Sequence, residues 1–103
     1  MIKVIGIFKK PATMNVEEFR AWMLETHAPL ARKLPGQSKY VVSLTIGAPE
    51  QVPRYDCVGE IWFEDQSTLQ KALESREMAE GLRDTQSHNV DVAIVFTEEH
   101  VIP

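Results

Sequence analysis

In the stretch "ETHAPLARKLPG", residues 25–36, a histidine and a proline fall two positions apart on what is otherwise an amphipathic helix. His27 is the one histidine on a predicted core-facing stripe. An imidazole, with an ordinary pKa of ~6.5, can take up or release a proton near neutrality, so general acid/base work is the chemistry it suggests. Pro29 removes the amide hydrogen that would have bonded the Glu25 carbonyl, and its ring crowds that carbonyl. The helix is therefore predicted to kink or restart at residues 26–29, opening space under the histidine. The plainer alternative is a core histidine satisfied by a backbone carbonyl.

Other chemistry-bearing residues are more scattered. Glu60 and Trp62 share one strand face, and a carboxylate amid Val58, Ile61, Trp62 and Phe63 is costly to bury unless it lines a polar pocket or a wet interface. Tyr40, just after Pro35-Gly36, could bring its hydroxyl to the kinked helix end, or simply pack. His88 lies in a polar run and reads as a solvated helix end. Glu98, Glu99 and His100 are adjacent, without the spacing of a zinc site. Cys57 has no basic neighbour closer than Arg54, so nothing supports a reactive thiolate. Phosphate loops, Gly-rich nucleotide fingerprints and G-x-S-x-G elbows are absent, and no cofactor or metal is expected.

Four strands and two helical regions must position these groups. Residues 2–8 ("IKVIGIF") are rich in β-branched side chains and stop at Lys9, Lys10 and Pro11. Asn15 with Glu18 resembles a capping box, and Phe19, Met23, His27, Leu30 and Leu34 then form one helical face ended by Pro35-Gly36. Residues 39–46 and 55–63 are strands joined by a loop containing Gly47, Pro49 and Pro53. A second helical region starts near Asp65, with Leu69, Ala72 and Leu73 inward, and restarts at Ser75 with Glu77 in its first turn before Met78 and Leu82. Residues 90–96 are the last strand. This βαββαβ order predicts an α+β ferredoxin-like subunit, an antiparallel sheet with both helices on one face. Both sheet faces are largely apolar, and since two helices cover only one, a homodimer through the other face is predicted.

The bulk properties agree with this picture. The chain has 103 residues, 44% of them hydrophobic and 25% charged, and reads as a single domain over 1–103 of ordinary globular composition. Its formal charge is −4, with eleven scattered Lys and Arg, so neither nucleic acid nor an anionic membrane is an expected partner. No apolar run approaches the ~18 residues of a spanning helix, and the single cysteine suits a reducing cytoplasm.

Two blocks, "FRAWMLETHAPLARKLPGQSKY" and "GEIWFED", resemble the EthD family of the dimeric α+β barrel superfamily. The resembling residues are His27, Pro29, Leu34, Pro35, Gly36 and Tyr40, then Glu60, Trp62 and Phe63, and finally Glu99, His100, Val101 and Ile102. The resemblance implies a small-molecule pocket between the sheet and the helices, with His27 and Tyr40 as catalytic groups. On that expectation Glu60 holds the polar edge of a cyclic, aromatic or lactone-like substrate, and Phe19, Trp22 or Trp62 packs its apolar body. The activities implied are cofactor-free ones of catabolic or tailoring metabolism: monooxygenase-like oxidation, cyclisation or isomerisation. The isomerase-like relatives carry a cysteine inside the Glu-x-Trp stretch, where this chain has Ile61. A non-catalytic binding or accessory protein would use the same pocket.

Overall fold

The computed structural model describes residues 1–103. Strands β1 (Ile2–Lys9), β2 (Lys39–Leu44), β3 (Cys57–Phe63) and β4 (Asp91–Glu98) form one antiparallel sheet in the order β2-β3-β1-β4, with the helices on one face, the ferredoxin-like arrangement. Helices α1 (Val16–Trp22) and α2 (Ala28–Ala31) follow β1, and α3 (Gln66–Leu73) and α4 (Arg76–Ser87) follow β3. No helix is long and apolar enough to cross a membrane.

Local chemistry accounts for the boundaries. Asn15 caps α1 in a full capping box: its Oδ1 accepts from the Glu18 N–H at 2.8 Å, and Glu18 Oε1 accepts from the Asn15 N–H at 3.1 Å. Asp65 and Ser75 cap α3 and α4 through the N–H groups of Thr68 and Met78. Beyond α2 the Gln37 amide donates to the carbonyls of Ala31, Arg32 and Leu34, tying down the helix end, and Gly36 supplies the positive φ of 81° that turns the chain into β2. Strands β2 and β3 are shorter than their apolar patterns suggest, by two residues at the Ile46 end and two at the Tyr55 end, where the connecting loop peels away.

The expected break at residues 26–29 takes a different form. The backbone stays helical throughout, and residues Met23–His27 form a π turn in which the Ala28 N–H reaches back to the Met23 carbonyl. Widening the ladder to i→i+5 accommodates a proline that has no N–H to return to Glu25. It also keeps side chains in line. Four-residue steps drift by about 40° each on an α-helix, so Phe19, Met23, His27 and Ala31 would spread over about 120°; one wide turn absorbs that drift, and all four are buried. Ala31 thus takes the inward position expected of Leu30, which is half-buried.

The register pairs Gly6 with Gly59 and Phe8 with Cys57 across β1 and β3, and Tyr40 with Ile61 across β2 and β3. These residues face the helices. One buried cluster gathers Phe8, Phe19, Trp22, Met23, Cys57 and Val90; a second gathers Phe63, Leu69 and Ala72. Lys3, Ile5, Ile7, Val41, Val58, Glu60, Trp62 and Val95 alternate onto the opposite face.

Candidate functional site

A cavity of about 90 Å³ lies at the seam of the two core clusters, between the sheet and α2, α3 and α4. Its floor is bare because Gly6 and Gly59 face each other there with no side chains. A Cβ on Gly59 would make ordinary contact with the rings of Phe8 and Tyr40, whereas one on Gly6 would come to 2.9 Å of Phe8 Cε2. Paired glycines in the middle of a sheet cost strand propensity, and the vacancy they leave is the cavity floor. Its walls are mostly aliphatic and aromatic, and His27, Tyr40, Glu77 and Thr85 are the lining residues that carry polar groups. Thr85 is already satisfied by the Gly81 carbonyl at 3.0 Å.

His27 comes from the π turn and is 7% exposed. Its ring sits edge-on to Phe8 at 5.5 Å and tilted against Trp22 at 4.9 Å. Its Nδ1 lies 3.3 Å from Asp84 Oδ2 on α4, a carboxylate whose other oxygen is 3.3 Å from His88 Nδ1. With Nδ1–H donating to Asp84, Nε2 carries the lone pair and is the nitrogen available to a ligand. Burial pushes the imidazole below its ordinary 6.5, and the Asp84 carboxylate offsets part of that push. His27 is therefore neutral at pH 7 and poised as a base.

Tyr40, the first inward side chain of β2, lines the same cavity. Burial, and secondarily the nearby Cys57, pushes its phenol up to about 12, so it remains a hydrogen-bond donor across the neutral range. Cys57 is fully buried, and burial together with Asp56 pushes its thiol up to about 11. It is a core residue, as its lack of basic neighbours suggested.

The remaining expected contacts lie elsewhere. Glu60 and Trp62 do not reach the cavity, because strand alternation sends Gly59, Ile61 and Phe63 inward and Val58, Glu60 and Trp62 to the opposite face. There Lys3 Nζ bridges Glu60 at 3.0 Å and Glu99 at 3.2 Å, and the Trp62 indole donates to Glu99 at 3.0 Å. Phe19 and Trp22 are core side chains outside the cavity wall. Trp22 acts on the site through the His27 ring instead, and its buried Nε1–H is left without an acceptor. His88, expected to be solvated, ends α4 with its ring 5.5 Å from that of Trp22.

Asp84, Gly6 and Gly59 were not singled out in the sequence. Two glycines inside apolar strand runs were the available signal for the floor. For Asp84 the spacing held none, since it meets His27 across 57 positions.

The EthD domain family matches residues 11–91. The chain is 33% identical over 82 residues to the 4-carboxymethyl-4-methylbutenolide mutase of Pseudomonas reinekei, an alignment spanning 73% of this chain and 76% of the mutase. The crystal structure of an EthD family protein from Bacillus halodurans superposes with a TM-score of 0.84 at 25% identity, covering 97% of this chain and 99% of that one. A protein of unknown function from Bacteroides fragilis, described as dimeric with a ferredoxin-like fold, superposes with a TM-score of 0.69 at 19% identity, covering 95% of each chain.

Proposed function

Given that this chain belongs to the EthD family, with residues 11–91 matching its domain, we propose that it is a small-molecule enzyme that moves a proton on a cyclic, carbonyl-bearing substrate. The observation that carries this reading is His27 in the wall of an apolar cavity that also receives Tyr40, with the Asp84 carboxylate behind the imidazole at 3.3 Å. Nε2 of His27 removes a proton from the carbon next to the carbonyl. Tyr40 donates to the carbonyl oxygen as negative charge grows on it, and Asp84 stabilises the imidazolium. Returning the proton to a different atom of the ring system gives an isomer. The mutase of Pseudomonas reinekei, whose name describes rearrangement of a butenolide, supports isomerisation over oxidation. A thiol has no part in this scheme, since position 61 in the cavity wall is isoleucine and Cys57 lies in the core.

Solvent deuterium entering candidate lactones and cyclic ketones, followed by NMR, tests the proposal. Compounds that bind but never exchange or turn over would instead mark a binding protein. The pH profile carries a further prediction. Asp84 raises the His27 pKa against burial, so Asp84→Asn lowers it further. The acidic limb of kcat/KM, where the base becomes protonated, should shift to lower pH, and kcat should fall as the tautomer is no longer held. A limb that stays in place or moves up would exclude this coupling.

We further propose a single domain acting as a homodimer through the helix-free sheet face, where Ile5, Ile7, Val41, Val58 and Val95 lie. The relative from Bacteroides fragilis is described as dimeric, which supports this assembly. A solution mass of one subunit by light scattering would exclude it.

A further inference from the structure

We propose that Val101 and Ile102 of one protomer dock in a groove of its partner, at the end of the sheet opposite the one they leave. The inference rests on the homodimer through the helix-free sheet face proposed above and names a contact that would lock it.

Four large apolar residues stand out by exposure: Val52 at 93%, Val101 at 86%, Ile46 at 85% and Ile102 at 83%, against 54% or less for every other. They fall in two places. Ile46 and Val52 border a groove of about 830 Å³ among the β2–β3 loop, the turn after β1 and α1, with Val16 and Phe19 also in its lining. Val101 and Ile102 follow β4 on a segment without helix or strand. Both places adjoin the helix-free face. Lys9, in the groove, lines up with Ile5 and Ile7 at two-residue steps along β1. Glu99, at the root of the tail, is held to the same face by Lys3 at 3.2 Å and the Trp62 indole at 3.0 Å.

One chain cannot bring the two together. Glu98 pairs with Ile2, whereas the groove lies at the Lys9 end of β1, about 23 Å along the strand. Ile102 follows Glu98 by four residues and reaches at most ~14 Å. A two-fold axis across the strands sets the Ile2 end of one sheet by the Lys9 end of the other, so each tail meets the partner's groove. Charge is complementary as well. Lys9, Lys10, Arg20 and Arg54 share the lining with one carboxylate, Asp56, which already accepts the Lys10 N–H. The Glu98 side chain, 2.9 Å from His100, is 74% exposed.

Ile102→Cys and Val52→Cys, made in separate chains of which one is tagged, should give a disulfide-linked pair under mild oxidation. Ile102→Cys with Leu24→Cys, a half-exposed position on the π turn outside the groove, should not. The native Cys57 is buried and stays out of the exchange. Val101→Ser combined with Ile102→Ser should raise the dimer dissociation constant at least about tenfold, because two tails per dimer lose apolar burial. If the native protein is a dimer but Val52→Cys links no better than Leu24→Cys, or the serine variant dissociates like the native, the tail contact is overturned while the dimer stands. A disulfide closing within one chain that carries both cysteine substitutions, at the mass of one subunit, overturns it too. A native mass of one subunit removes the dimer and the inference with it.

Discussion

His27→Ala is expected to lose about 10²- to 10⁴-fold in turnover, the usual contribution of a positioned acid/base group, while retaining the fold. The fold should survive because His27 adds little to the strand register and shares its contacts with Phe8 and Trp22, which remain held in one buried cluster. Truncating a ring that is 7% exposed does open a hole, so His27→Gln, closer in length and still able to hydrogen-bond Asp84, is the paired variant. An amide cannot accept a proton from carbon at neutral pH. His27→Gln should therefore melt near the native temperature and still fail to turn over substrate. Turnover within threefold of native in both variants would remove His27 from the mechanism.

Phe19→Ala should act on stability instead, with a loss of about 3–5 kcal/mol, the range seen when a buried phenylalanine is truncated. Phe19 is 1% exposed, packs against Trp22 at 5.7 Å, and lies in the larger core cluster outside the cavity wall. Small domains have only about 5–15 kcal/mol in total, so this is a severe change. Chemical denaturation measures it, and ligand affinity per folded molecule should be unchanged. Native-like stability with lost binding would restore Phe19 to the substrate-packing role that the family resemblance implies.

Much of the architecture is legible in local pattern. The capping box at Asn15 and Glu18, the Ser75 restart, the two apolar sheet faces and the Pro35-Gly36 turn are all set by neighbours within a few residues. The site divides along the same line. His27 and Tyr40 line the cavity as their positions predict, because a helix stripe and a strand end determine which way they point. Glu60 and Trp62 were given to the pocket although strand parity, readable in Gly59 and Ile61, already sent them to the other face. Asp84 could not be read, because only the packing of α4 on the π turn and α2 brings it to the imidazole. Pro29 was rightly seen as an obstacle to a regular helix, but propensity alone does not distinguish a broken helix from a widened one. The run of four-residue steps through Phe19, Met23, His27 and Ala31 was the subtler sign.

The two floor glycines differ in how they would respond to ordinary mutation. Every glycine codon becomes alanine or valine by a single base change, and at Gly59 the first added carbon meets only ordinary contacts, at 3.5 Å from Phe8 and 4.0 Å from Tyr40. Gly6 has no such freedom: its first added carbon would push the Phe8 ring, and Phe8 is the edge against which His27 rests. In a lineage adapting to smaller substrates, position 59 is where pocket depth would change first, and position 6 is where a change would be felt at the imidazole.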